Sequence, residues 1–480
     1  MSYTVTDPAA ATTRIAGEAT GRLHLEAKTQ TTTFQLTGDV ANLLVEDLTA
    51  NATASGERTP IWQEPKVSIE TAGTYDAVQD QLKLDIARIV GKVVNLVAQG
   101  SATQLTSTPV VDVSGEYGYQ LEGLLAIFRD MVGSDIQLTG NQTQRFAIQG
   151  PLFPAENEKG LVSAQLMAQA GVGWDTADVY SMALGPTQVD TQLQQGQLRT
   201  SPVQLAIGEG QVNVSPTIHL NTDPLWMVLA PATVVDHVKI TPEMTKTWMK
   251  YVTPLLADAT NAEGAFSVSL SRAEIPLVDP MQSTIDGQFI VHGGALGPGP
   301  LATQFIELAT QIKRLTGQGQ SSIARSEGTW VDLGEQNVTF KVAENRVYHE
   351  NFEMRIDGVP IRTRGSVGML DESINVMAEV PILDKWIERT PALAGLKGQV
   401  ISIPVGGTTS RPQLDRQALA QATRQIAQQA ATGAIRNEVG KQLQKRLGVG
   451  TVQDAIGGTQ EKLNNKLQDE LSKGLNKLFK

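Results

Sequence analysis

Between Val338 and Asp415 the chain alternates apolar and polar residues, segment after segment, and a chain so patterned must form strands with one apolar face. Val338, Phe340 and Val342 fall on one side and Thr339 and Lys341 on the other. Phe352, Met354 and Ile356 repeat this against Glu353, Arg355 and Asp357. Ile374, Val376, Ala378 and Val380 follow, and Ile401 and Ile403 lead into the closing run Ile403-Pro404-Val405-Gly406-Gly407-Thr408. Short strands punctuated by Gly, Asn and Asp turns predict an antiparallel sheet with one wet face. The apolar face needs a cover: a second layer, helices or a ligand. Which of these covers it is the functional question.

The rest of the chain narrows the class. Its 480 residues hold no cysteine, which excludes disulfides and Cys-ligated metals, and aromatics at 5% leave the core to Val, Leu, Ile and Ala. The opening Met1-Ser2-Tyr3-Thr4 has neither the basic nor the apolar region of a signal peptide. No window reaches the roughly 18 apolar residues that a transmembrane helix needs. Charge is uneven. From Arg411 to Lys480 there are 12 basic and 6 acidic residues, a net of +6; subtracting these from 39 and 50 leaves 27 and 44, a net of −17, for residues 1–410. An acidic body argues against nucleic acid as a partner. A basic tail is suited to an anionic surface or to docking on the body.

Four regions are predicted. Residues 1–184 are rich in short strands, with apolar residues at helical spacing over 121–132. Residues 185–335 repeat that order, with strands leading to a helix that opens at Thr241-Pro242, a capping residue before Pro at the first helical position. Phe305, Leu308, Ile312 and Leu315 mark a second amphipathic helix. Residues 336–415 are the strand run, and 416–480 are a basic amphipathic helical tail. A weak internal repeat relates Leu193–Leu205 to Ala343–Met354: a short turn, strands, a Gly turn and a further strand.

This unit, together with the closing Ile403-Pro404-Val405-Gly406-Gly407 and Arg411-Pro412-Gln413-Leu414-Asp415, resembles the repeated sheets of AsmA-like and TamB-like envelope proteins over 185–220 and 336–415. The resemblance implies a mainly β fold with interspersed helices, an elongated, twisted, taco-like antiparallel sheet whose apolar groove carries lipid acyl chains. It implies a non-enzymatic role in lipid transport and outer membrane biogenesis, on the periplasmic side of the inner membrane of a bacterial cell envelope, with a phospholipid or another acyl-chain lipid as the partner. On this reading Val338, Phe340, Val342, Phe352, Met354, Ile356, Ile374, Val376, Val380, Ile401 and Ile403 are the lipid-contact candidates. Members of that family begin with a membrane-anchoring helix, which this chain lacks, so it looks like the C-terminal portion of a larger protein or an anchorless relative. The alternative is an envelope scaffold whose helices seal the same apolar face into a dry core.

Catalytic signals are thin. The five histidines, His24, His219, His237, His292 and His349, lie in separate segments without H-x-x-x-H spacing, so neither a metal nor a cofactor is expected. No nucleophile elbow or phosphate-binding loop is present. In the tail, Leu463, Leu467, Leu471, Leu475 and Leu478 recur at helical steps beside Lys466 and Lys477. Such a helix can lie on an anionic bilayer, or pack on the sheet.

Overall fold

The computed structural model describes residues 13–47, 60–127, 135–315, 331–389 and 397–415, together with 417, 418 and 421, apart from 157, 258, 260 and 357. They divide into two units. The first holds the described residues up to Ala230 together with Ala273–Pro280, and the second Pro231–Arg272 and those from Met281 onward. Residues 185–230 and 273–280 therefore group with the strands that precede them, and the other described residues of 231–335 with those that follow. The tail stripe Leu463, Lys466, Leu467, Leu471, Leu475, Lys477 and Leu478 lies outside the described residues, as does the 128–132 end of the first predicted helix.

The fold is mainly β, as the alternation predicts, and its ladders are antiparallel. In the first unit the long strands are β1 (Thr13–Ala27), β2 (Thr31–Asp47), β3 (Pro60–Asp76), β4 (Gln81–Val90), β5 (Val94–Thr103) and β6 (Val110–Gln120). After helix α1 (Leu121–Ile127) come β7 (Ile136–Thr139), β8 (Asn141–Pro151), β9 (Met167–Trp174), β10 (Thr176–Val179) and β11 (Met182–Leu184). Then β12 (Thr187–Gln194), β13 (Gln197–Thr200), β14 (Val203–Ile207), β15 (Gly210–Val214), β16 (Pro216–His219) and β17 (Trp226–Leu229) complete it. The second unit contains β18 (Ala232–Lys239), most of β19 (Ala262–Pro276), β20 (Thr284–Leu296), β21 (Val331–Leu333), β22 (Gln336–Ala343), β23 (Arg346–Ile356), β24 (Val359–Gly368), β25 (Ile374–Pro381), β26 (Val400–Thr408) and β27 (Arg411–Leu414).

Local chemistry sets the register. Two-residue turns join β12 to β13 and β22 to β23, with positive φ at Gln195 and Gly196 (53° and 69°) and at Glu344 and Asn345 (53° and 58°). That is the turn whose twist matches a hairpin, and it is the shared start of the two repeats. The repeats then diverge. At Ser201-Pro202 the first stops its strand, where Pro offers no N–H to a ladder, and restarts as the β14–β15 hairpin. The second runs on as β23 through a bulge between His349 and Phe352. Three phenylalanines sit directly opposite glycines: Phe34 and Gly73, Phe146 and Gly115, Phe340 and Gly287. A Cβ on Gly73 would come within 2.9 Å of the Phe34 ring, so the glycine is the floor on which the aromatic lies.

Helices cover the sheet of the second unit. Where one helix is predicted from Thr241, the structure has three short pieces, α2 (Pro242–Thr247), α3 (Met249–Val252) and a 3₁₀ turn (Pro254–Leu256). Thr241 caps α2 as expected, its side chain accepting from the Met244 amide at 3.3 Å. Met244, Met249, Leu255 and Leu256 from these pieces are 0–3% exposed. Trp248 reaches Phe266 and Phe289, with ring centroids at 5.5 and 6.4 Å. The longer helix α4 (Pro300–Leu315) adds Leu301 and Phe305, both essentially inaccessible. Gln304 ties α4 to the edge strand β27, donating to the Pro412 carbonyl at 3.0 Å and accepting from the Leu414 amide at 3.3 Å. Lys250 donates to Glu372 at 2.8 Å and so links α3 to the β24–β25 connection. One more short helix, α5 (Asp384–Arg389), follows β25.

Phe352 is 0% exposed under this cover. Phe352→Ala is therefore expected to cost roughly 3–5 kcal/mol, the range for an emptied aromatic site in a packed core. Urea denaturation followed by circular dichroism reads it, and a cost under about 1 kcal/mol would show that the site is not packed protein.

Candidate functional site

The apolar strip of residues 338–405 forms on one side of consecutive antiparallel strands, but it does not face an opening. Ten of the eleven lipid-contact candidates are buried: Val338, Phe352, Met354, Ile356 and Ile403 at 0%, Val380 at 1%, Val376 at 4%, Ile374 at 6%, Ile401 at 7% and Val342 at 9%. Phe340 is half-buried over Gly287. Side chains of α2, α3, the 3₁₀ turn and α4 are buried in the same unit; α3 contacts β23 and β24, and α4 contacts β23 and β27. Of the three possible covers for a one-sided sheet, helices are the one this unit uses.

The first unit presents a different surface. Residues directly opposite one another in a ladder share a face, and the registers chain together without a break. Leu25 lies opposite Phe34, Phe34 opposite Gly73, and so on through Leu84, Gly100, Val113, Ile148, Ala168, Leu193, Leu198, Ile218, Met227 and Ile275. Every member of this row, thirteen strands long, is apolar or glycine. A second row runs beside it through Leu23, Leu36, Thr71, Ala87, Ala98, Gly115 and Phe146. Phe34, Leu84, Val113, Ile148, Leu198, Ile218, Met227 and Ile275 are half-buried, and Leu25 is 57% exposed.

Cover on this face is local. Among the described residues α1 is the unit's one helix, and it stands at the Val93 end of the strands, where a Cβ on Gly123 would meet the Val93 side chain at 2.7 Å. The β14–β15 hairpin packs Val203 and Leu205 on Val189 at one end of β12. Tyr117 and Tyr119 bridge β6 to β9, each hydroxyl donating to a glycine carbonyl (Gly171 and Gly173) and Tyr119 also accepting the Gly173 amide at 2.6 Å. The reverse face of the same strands is polar. Its open trough of about 810 Å³ is lined by Thr74, Asp76, Lys83, Asp85, Ser101 and Asp112, and Lys83 pairs there with Asp85 at 3.0 Å.

The row escapes a reading by segments because it crosses the strands. Each strand contributes one residue, and only the register says which. Two other features are equally non-local. The fold stacks His237 on His292 beside Asp236, although their spacing in sequence gives no metal motif. It also buries His349. No helix among the described residues is long and apolar enough to cross a membrane. Comparison of the chain with protein-family models, with curated proteins and with solved structures finds no match.

His349 is 1% exposed, with Nε2 3.0 Å from Thr363 Oγ1 and no partner for Nδ1 among the described residues. Burial pushes its imidazole down to about 4, against 6.5 for an ordinary histidine. Between those values the unfolded chain binds the extra proton, so the contribution is complete above about pH 6.5 and is lost as the pH falls toward 4. The full loss is on the order of 3 kcal/mol. Denaturation curves at a series of pH values should show this slope in the wild type, and His349→Leu should flatten it.

Proposed function

We propose that this chain is a non-enzymatic lipid-handling protein of the bacterial cell envelope, and that it binds acyl chains along the apolar rows of its first unit rather than on the strip Val338–Ile403. The observation that carries this reading is the unbroken apolar row from Leu25 to Ile275, half-buried over most of its length and, among the described residues, without a helix of its own unit along it. With strands about 4.8 Å apart, twelve steps of the ladder extend for roughly 58 Å, more than two acyl chains of about 20 Å end to end. Burying a sixteen-carbon chain is worth roughly 12 kcal/mol at about 0.8 kcal/mol per CH₂, the same size as the roughly 4–15 kcal/mol that association costs, so binding depends on how much of the chain the surface covers. Half-buried Leu, Val and Ile side chains gain by that contact, whereas the sealed strip of the second unit has nothing left to gain.

The resemblance to AsmA-like proteins supports the acyl-chain partner and a place on the periplasmic side of the inner membrane. The excess of basic residues after Arg411 supports contact with anionic lipid headgroups. The scaffold reading keeps one specific support, the helix-covered sheet of the second unit, and applies to that unit alone.

The test is mass spectrometry of organic extracts from the chain purified out of cells, with Val113→Asp and Ile148→Asp beside the wild type. Both positions are half-buried, so a new carboxylate reaches water and avoids the several kcal/mol of a buried charge. The wild type should yield acyl lipid, and each variant should melt within a few degrees of it but yield at least about tenfold less, the equivalent of about 1.4 kcal/mol. An extract without lipid, joined to loss of cooperative melting in both variants, would make this face a core and remove the proposal.

A further inference from the structure

We propose that Asp236, His237 and His292 form a binding site for a divalent transition-metal ion, with Zn²⁺ the best chemical match. The site is in the second unit and stands or falls independently of lipid binding. One ligand atom from each of the three residues lies within 4.8 Å of the other two, and the two imidazole rings are stacked with centroids 3.9 Å apart and planes 12° from parallel.

The backbone explains how adjacent residues serve one site. Val235 pairs with Val268 and Val238 with Phe266, so Asp236 and His237 together stand opposite Ser267 alone. A bulge of this kind re-aims side chains that strand alternation would send to opposite faces. His237 holds the bulge at φ 51°, a left-handed conformation rarely adopted by a residue with a Cβ. Strain of this kind persists where the surrounding structure imposes it, and it clusters at functional sites.

Ser267, 2% exposed, is the hub of the cluster. Its Oγ accepts the His237 backbone N–H at 2.9 Å, donates to Asp236 Oδ1 at 3.1 Å, and lies 2.7 Å from His292 Nε2. The protons can be counted. Ser267 has one, given to the carboxylate, so the proton in the contact with His292 belongs to Nε2, and the lone pair of that ring is on Nδ1. Asp236 Oδ1 is 2.6 Å from His237 Nδ1, and an ionised carboxylate only accepts, so His237 holds its proton on Nδ1 and its lone pair on Nε2. Both imidazole protons therefore lie on the nitrogens that face Asp236 and Ser267, and an ion held by Asp236 together with the two rings replaces them, each imidazole carrying its proton on the outward nitrogen instead.

Two imidazoles and a carboxylate match Zn²⁺, Ni²⁺ or Cu²⁺ and do not match Mg²⁺ or Ca²⁺, which take oxygen ligands. A tetrahedral ion with ligands at about 2.0–2.2 Å spaces its donors about 3.3 Å apart, so the set must contract on binding. His237, with 60% of its side chain exposed, is free to turn inward. Three protein ligands leave a fourth position to water or to Glu335, which neighbours His292 across Gly293.

The experiment uses the full chain without a histidine tag, freed of metal by a chelator and titrated with Zn²⁺ in a calorimeter and with Co²⁺ in a spectrophotometer. The expected result is one ion per chain, visible Co²⁺ bands of nitrogen coordination, and a higher melting temperature with Zn²⁺. His237→Gln, at an exposed position, should keep the fold and lose the site. Ser267→Ala keeps all three ligands and should weaken binding by about 10–100-fold through the lost positioning of Asp236 and His292. If the wild type takes up no stoichiometric Zn²⁺, or if His237→Gln binds as tightly as the wild type, the assignment is overturned. His237→Gln and the wild-type Co²⁺ spectrum decide the matter even if Ser267→Ala does not fold.

Discussion

An antiparallel sheet satisfies its own hydrogen bonds but leaves two faces, and when one of them is apolar, water drives it to find a cover. Everything specific about this protein follows from how that requirement is met. In the second unit the chain covers itself: α2, α3, the 3₁₀ turn and α4 bring Met244, Met249, Leu256, Leu301 and Phe305 into a core that also contains Phe266, Phe289, Phe352 and Ile403. The polar ties are arranged at the margins of that core. Lys250 and Thr409 hold Glu372, and these hydrogen bonds keep its carboxyl below the usual range. Gln304 satisfies backbone groups of β27, an edge that would otherwise be open to another strand.

The first unit meets the same requirement with far less of its own chain. Its strands are long, its cover is confined to α1 and the β14–β15 hairpin, and its apolar row stays half-buried over most of its length. Small residues recur in that row, with Gly73 between Phe34 and Leu84, Gly100 between Leu84 and Val113, and Ala168 between Ile148 and Leu193. Alternation of large and small side chains across a sheet makes a surface with relief, into which another apolar body can fit. Gly100 is the tightest point. A Cβ there would lie within 2.7 Å of the Val113 Cα, so the backbone itself requires glycine at this point of the row.

Much of the fold is legible in the residues, because alternation and turn chemistry are local. Val338, Phe340 and Val342 announce β22, Ile374 to Val380 announces β25, and Thr241-Pro242 announces the start of α2. What covers the sheet is not legible in this way. The stripe through Phe305 shows that a helix has an apolar side but not which strands it will meet, and Phe352 would alternate identically beneath a helix or beneath a lipid. The row from Leu25 to Ile275 is less legible still, since it depends on every register along thirteen strands. A slip of one residue in a single pairing would turn all side chains beyond it to the opposite face.

The cluster at Asp236 and His237 sharpens the point, because there the local rule fails. Strict alternation sends neighbours to opposite faces, so a reading by period places Asp236 and His237 apart and leaves His292 unrelated to both. The extra residue between Val235 and Val238 cancels that rule at one position. It costs left-handed backbone at His237 and a ladder interrupted above Ser267, and it follows a second register shift between Thr233 and Val235. A bulge that existed only to bend the strand would not need two histidines in contact, nor a carboxylate and a buried hydroxyl that each hold one of the rings. The departure from pattern and the chemistry coincide, and in a sheet this regular that coincidence is the most informative feature the backbone offers.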